Sequence, residues 1–401
     1  MLRMKLIGQS ISFLLVGFTL PIVFPEPAAS FDHSVQVAVL IDANAHNDMG
    51  IVLQGKGDLD GAIAEYKRAL EIDSSFVEAY HNLGIALYAK GDYEGAIVAH
   101  RNAIKLRPES GEDHGDLANA LMAKGRLLEA ISSYREATRL NPNLPNAHYN
   151  FAIALKHTGD LDGAITEYLR TIELDPENAD AHNNVGIILQ GRGNLPEAIT
   201  HYRSAIRVNP KHVTAQYNLG LALQISGNLD DAAAAYRSVL GLRPDHAKAH
   251  NNLGYILQSK GDLDGAIAQY QAVLNLQSDN AVARYNLGVA LQANGDLDRA
   301  IQEFRYVLGR QPDHVKARYN LGVALHAKGD RDGALTEFRR VTGLAGDYAD
   351  AHYAMAEIFR QRGEKMEAVE SYRKYLSLEQ ENPSTHARRE LVKLRLKELG
   401  G

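Results

Sequence analysis

In steps of 34 or 68 residues along this 401-residue chain an asparagine returns: Asn82, Asn150, Asn184, Asn218, Asn252, Asn286 and Asn320, with Asp48 and Asp116 in step and Ala354 breaking the row. Three residues further on runs a mostly apolar row, Ile51, Ile85, Ile153, Ile187, Leu221, Val289 and Val323, with Tyr255 among them. Six further on stands an amide row, Gln54, Gln190, Gln224, Gln258 and Gln292. A carboxamide offers one acceptor and two donors, which matches the N–H and C=O groups of an extended peptide whatever its side chains. One such hydrogen bond contributes only about 0.5–1.5 kcal/mol net, so useful affinity requires several amides engaged together with some apolar burial. The chemistry is therefore binding, and length is part of it. The other reading is structural: the asparagines hydrogen-bond neighbouring helix backbones.

The rows belong to a larger repeat. A shift of 34 superposes Gly57, Gly91, Gly125, Gly159, Gly193, Gly227, Gly261, Gly295, Gly329 and Gly363 without insertion or deletion, and five residues after each comes an alanine, from Ala62 to Ala368. Ten units over residues 43–382 follow. Within a unit, residues such as Leu83, Leu87, Ala96, Ile97, Ala103 and Ile104 recur at helical spacing, so each unit is predicted to be two amphipathic helices. The glycine ends the first helix and Asp92, Asp160, Asn194 or Asp262 caps the second, which Pro108, Pro142, Pro176, Pro210, Pro244 and Pro312 close. Gly84, Ala96 and their equivalents let the helix backbones approach, so a larger residue at Ala198 is expected to overpack. A single pair cannot bury its apolar faces alone; stacking must supply the stability, with a polar cap at the end. Residues 383–401 are expected to form that C-terminal solvating helix, with Leu391, Leu394 and Leu399 over the last repeat, and residues 31–42 a linker or the start of a cap.

Each unit resembles N-L-G-x-x-L-x-x-x-G-x-x-x-x-A-I-x-x-Y, the tetratricopeptide repeat pattern, over about 340 positions, although the first helices lack the Trp common in it. The resemblance implies an all-α, right-handed superhelical α-solenoid of ten 34-residue helix-turn-helix repeats, whose first helices line a concave groove. The runs at 250–254 and 285–288 look like the repeat arm of O-linked N-acetylglucosamine transferases, with an asparagine ladder but without that family's catalytic domain. The resemblance thus implies peptide binding by Asn82, Asn150, Asn184, Asn218, Asn252, Asn286, Asn320, Gln190, Gln224, Gln258 and Gln292. The family's carboxylate clamp is disfavoured, because Lys248 and Lys316 sit in units carrying Asn252 and Asn320 where a clamp has Arg.

Composition narrows the rest. Hydrophobic residues at 45% and charged residues at 23% exclude wholesale disorder, and a net charge of −6 gives no electrostatic case for nucleic acid. Without cysteine there is no disulfide, thiolate nucleophile or sulfur-ligated metal. Arg3 and Lys5, the apolar run over residues 6–24 and Ala28-Ala29-Ser30 read as a signal peptide or membrane anchor over residues 1–30, with the repeats outside the cytoplasm and membrane contact only through residues 6–24. His46, His114, His148, His182, His250 and His352 recur at one packing position rather than as metal ligands. The G-D-L-D-G runs at 57–61 and 261–265 read as turns, not calcium loops, and the row of Tyr66, Tyr134, Tyr168, Tyr202, Tyr236, Tyr270 and Tyr372 as packing. No catalytic residue, metal or cofactor is expected. The expectation is a non-enzymatic scaffold for extended segments of other proteins, serving assembly of an envelope or membrane complex; the alternatives are self-association or an accessory role beside a separate enzyme such as a glycosyltransferase.

Overall fold

The computed structural model describes residues 31–380 and 385–400, and the regular structure in them is helical throughout. The signal peptide or anchor expected over residues 1–30 lies outside the described residues, as does Pro383. The chain divides into two compact units after Pro142. The first holds α1 (Phe31–Gly55), α2 (Leu59–Ile72), α3 (Val77–Lys90), α4 (Tyr93–Leu106), α5 (Gly111–Ala123) and α6 (Leu127–Leu140). The second holds α7 (Pro145–Thr158), α8 (Leu161–Leu174), α9 (Ala179–Gly191), α10 (Leu195–Val208), α11 (Val213–Ile225), α12 (Leu229–Leu242), α13 (Ala247–Ser259), α14 (Leu263–Leu276), α15 (Ala281–Ala293), α16 (Leu297–Arg310), α17 (Val315–Ala327), α18 (Arg331–Leu344), α19 (Ala349–Arg362), α20 (Lys365–Leu378) and α21 (His386–Glu398). Within each unit every odd-numbered helix packs against the even-numbered helix that follows, and that helix against the next, which is the helical repeat fold expected from the sequence. Residues 31–42 are part of α1. Among the described residues no helix is long and apolar enough to cross a membrane.

The turn between paired helices is set by one left-handed residue. The glycines from Gly57 to Gly363 adopt φ between 74° and 89°, where a side chain is strained. The next residue starts the second helix: Asp58, Asp92, Asp160, Asp262 and Asp330 each accept a hydrogen bond at 2.9 Å from the backbone N–H three residues on. This accounts for the G-D-L-D-G runs as capped turns. Asn194 differs from expectation: it stands at the cap position without a side-chain bond, ahead of Pro196 in the first turn.

The ten alanines from Ala62 to Ala368 are fully buried, as are the tyrosines of the regular row. Each tyrosine ring fills the space over a small residue of the preceding helix. A Cβ added at Gly220 would lie 2.7 Å from Cε1 of Tyr236, so glycine there is a requirement of shape. At the C-terminal end only Leu399 of the three expected covering residues packs against the core. Val392 and Leu396 are buried and Leu399 packs against the core, whereas Leu391 and Leu394 are exposed. Val392 and Leu396, four residues apart, share one face of the helix, while Leu391 and Leu394 are turned away from it by about 100° per residue. Along the outer edge, ion pairs such as Arg192–Asp162 at 2.6 Å and Arg362–Asp332 at 2.8 Å join successive repeats; exposed as they are, each adds little.

Candidate functional site

The asparagine row is half-buried on the first helices of the repeats, and its side chains are engaged across the repeat boundary. In the first unit Asn82 donates through Nδ2 to Oδ1 of Asn47 at 3.0 Å. In the second, Asn218 and Asn286 donate to the carboxamide oxygens of Asn183 and Asn251 at 3.0 and 3.1 Å, and Asn184, Asn252 and Asn320 to the hydroxyls of Tyr149, Tyr217 and Tyr285 at 3.3, 3.3 and 3.0 Å. Asn150 occupies the equivalent place on α7 and is also half-buried. The partner is thus a side chain one position earlier in the preceding repeat, not the helix backbone. At Asn82, Asn218, Asn286 and Asn320 the bond uses one N–H, sets the amide's orientation and leaves the second N–H and the carbonyl oxygen for something laid across the helices. Asn252 also donates to Tyr236 at 3.2 Å, and Asn184 also accepts from Lys156 at 3.4 Å.

The glutamine row carries a second structural bond. The hydroxyls of Tyr66, Tyr202, Tyr236 and Tyr270 donate to the side-chain oxygens of Gln54, Gln190, Gln224 and Gln258 at 2.8–3.1 Å. Burial raises the pKa of these tyrosines, that of Tyr270 to about 12, so the hydroxyl remains a donor across the physiological range. Each glutamine keeps its amide nitrogen for other partners. In the repeat of Gln292 the tyrosine's place is taken by Phe304, which has no hydroxyl to donate. Between the two amide rows the apolar row is open: Ile51, Ile187 and Tyr255 are 49%, 38% and 55% exposed, with Leu221, Val289 and Val323 partly buried beside them. The surface is an alternation of oriented amides and uncovered apolar side chains, suited to holding a chain.

Four of the repeated histidines, His46, His148, His182 and His250, pair with a side chain of their own repeat. His46 and His148 meet Glu65 and Glu167 at 2.6 and 2.5 Å, and Arg284 and Arg318 meet Glu303 and Glu337 from the same position. His182 instead meets His201, Nδ1 to Nδ1, at 3.2 Å. Burial holds both of these imidazoles below their ordinary 6.5, and His201 further disfavours charge on His182. Since the unfolded chain takes up protons near 6.5 before the folded one does, this pair's stability is complete above that pH and declines as pH falls below it. The variant His201→Glu introduces the histidine–glutamate pair of the preceding repeat, His148 with Glu167. Its melting temperature is expected to fall less than that of the parent between neutral and mildly acidic pH, and equal losses would refute the assignment.

One cluster escaped the sequence reading because its members lie at three different repeat positions. In the row of buried tyrosines the second repeat carries His100, 1% exposed, with Nδ1 lacking any partner. Around it stand His81 and Asp116, so that one ligand atom from each of the three lies within 4.8 Å of the others. Nδ1 of His81 is 2.6 Å from Oδ1 of Asp113, a fully buried carboxylate that also accepts from Arg107 at 3.2 Å. Burial lowers His100 to about 4; at Asp113 burial acts upward, but bonds from His81, Ser110 and Arg107 outweigh it and bring the carboxyl to about 2. The gap at residue 100 in the tyrosine row was the visible signal.

Models described as TPR repeat or tetratricopeptide repeat match residues 55–91, 118–159, 154–191 and 254–295, residues 186–237, 285–347 and 327–384, and residues 77–110. Among solved structures, the C-terminal part of a TPR repeat-containing protein from Cytophaga hutchinsonii is 17% identical with a TM-score of 0.53, the match covering 59% of this chain and 98% of that one. YrrB, described as a TPR protein with an unusual peptide-binding site, is 24% identical at a TM-score of 0.44, over 47% of this chain and 96% of its own. MamA from Desulfovibrio magneticus RS-1 is 25% identical at 0.41, over 42% and 96%. No curated protein sequence matches. The likeness to the Cytophaga protein is one of fold.

Proposed function

This chain belongs to the tetratricopeptide repeat family, and from that premise we propose that it is a non-enzymatic scaffold holding extended segments of other proteins along the first helices of its repeats. The observation that carries the proposal is the asparagine row: amides such as Asn218, Asn286 and Asn320, fixed by a bond to the preceding repeat with polar capacity left over, next to apolar side chains left uncovered. Fixing a side chain before the ligand arrives removes part of the ordering cost of binding. An amide engaged by one N–H also cannot rotate away, so a row of them presents acceptors at a regular interval. The resemblance to the asparagine ladder of O-linked N-acetylglucosamine transferase arms supports the same mode of binding. With the export signal read in residues 6–24, the partners are assigned to the cell envelope, where the protein serves assembly of a membrane or envelope complex.

The test uses residues that bind nothing structural. In the variant Ile187→Ser/Tyr255→Ser, two exposed apolar contacts are removed while every amide bond between repeats is retained. Against a panel of unstructured peptides, fluorescence anisotropy is expected to show binding that tolerates changes of peptide sequence, weakened at least about tenfold in the variant through lost apolar burial. Circular dichroism must show equal helicity. Binding that persists unchanged in the variant moves function to the convex faces or the ends, and self-association without peptide binding favours an oligomerising role.

A further inference from the structure

We propose that His81, His100 and Asp116 form a binding site for a divalent transition metal of the zinc class, bridging the second and third repeats. The site is a variant of a contact seen elsewhere in the array. Asn252 reaches the hydroxyls of Tyr217 and Tyr236 at 3.3 and 3.2 Å, so three repeat positions, two in one repeat and one in the next, meet at a point. In the second and third repeats those same positions hold His81, His100 and Asp116. The ring pairs superpose in kind: Tyr217 and Tyr236 lie 5.9 Å apart, His81 and His100 6.1 Å. All three hydrogen-bonding residues of the ordinary contact are thus replaced together by metal-ligating types.

The surroundings suit a metal better than a hydrogen-bond triad. A histidine buried to 1% exposure with an unpartnered nitrogen is costly unless something else is bound, and in every sibling repeat a tyrosine or phenylalanine fills that place instead. Asp113 occupies Nδ1 of His81, which leaves Nε2 as the lone-pair nitrogen; a carboxylate on the far side of a ligating imidazole is the usual outer-shell support of zinc. Two imidazoles and a carboxylate form a nitrogen and oxygen set that accepts Zn²⁺ at about 2.0–2.2 Å with a fourth position open to water. From separations within 4.8 Å, closing to such distances requires movements of about 1 Å, which the 34% exposed side chain of Asp116 and the 21% exposed one of His81 can make against the fixed His100. The metal would join α3 and α4 to α5, all within one compact unit.

The full chain, stripped with chelator, is titrated with Co²⁺ as a visible-absorption probe and then with Zn²⁺. The expected result is one Co²⁺ per chain with the intense bands of a tetrahedral site, displaced by one equivalent of Zn²⁺. The variants His100→Tyr and Asp116→Asn restore the residues of the sibling repeats, so both should fold, and each is expected to weaken binding by more than about 100-fold, beyond the loss typical of an outer-shell partner. Zn²⁺ should also raise the melting temperature of the parent and leave that of His100→Tyr unmoved. Absence of a tetrahedral spectrum, or the same affinity in His100→Tyr as in the parent, overturns the proposal, the latter by placing the metal on other histidines.

Discussion

Replacing Tyr202 by Ala is expected to destabilise the protein by about 3–5 kcal/mol, the cost of removing a fully buried aromatic side chain from a packed interior. The ring lies in a space prepared for it: a Cβ at Gly186 would sit 2.6 Å from Cε1 of Tyr202, and the hydroxyl reaches Gln190 at 2.8 Å. Neither group can move in to fill the void, because both are held on helices packed on both sides. The companion variant Tyr202→Phe removes only the hydroxyl bond and should cost about 1 kcal/mol, as Phe304 and Phe338 occupy the same place in their own repeats. Urea unfolding monitored by far-ultraviolet circular dichroism measures both. A loss below about 1 kcal/mol for Tyr202→Ala would show that the repeat core is loosely packed. Because stacked repeats depend on their neighbours, hydrogen exchange should quicken first in α9, α10 and α11.

The opposite error, excess volume, is expected at Ala198→Leu, with a loss of about 1–3 kcal/mol. Ala198 is fully buried on α10, four residues before Tyr202 on the same face, and belongs to the row that is alanine in every repeat. Three added carbon atoms there must push α9 and α10 apart or force the leucine off its rotamer. The same exchange at an exposed helical position such as Ala234 would serve as control, since leucine is nearly as good a helix former as alanine. If Ala198→Leu unfolds at the same urea concentration as the parent, close helix approach is not what the small residue provides.

Much of this was legible in the chain itself, for a physical reason. Repetition averages out local ambiguity: a glycine in one turn is weak evidence, but Gly57 to Gly363 in register leave few structures able to repeat at that interval. The capping aspartates and the buried tyrosines followed from local chemistry in the same way. What sequence reasoning could not supply were contacts between neighbouring repeats at unlike positions. That the Asn218 amide is bonded to Asn183, 35 residues before it, depends on the angle between α9 and α11, which periodicity does not contain. The cluster of His81, His100 and Asp116 was hidden for the same reason, as its members are 19 and 16 residues apart and no motif has that spacing. At the C-terminal helix, apolar residues were correctly sought, but the phase of the face was decided by packing, in favour of Val392 and Leu396.

The central claim is that the oriented amides of the first helices read peptide backbone and not side chains. The most direct measurement compares one bound peptide with the same sequence methylated at alternate backbone nitrogens, which removes donors and leaves every side chain in place. If the amides accept from the backbone, each lost bond costs about 0.5–1.5 kcal/mol, so three or four methylations should weaken binding by at least about tenfold and up to about 10,000-fold. Shuffling the side chains of the unmethylated peptide should change affinity far less. Equal affinity for the methylated and unmethylated peptides would contradict the account and leave the asparagine row a device for joining repeats.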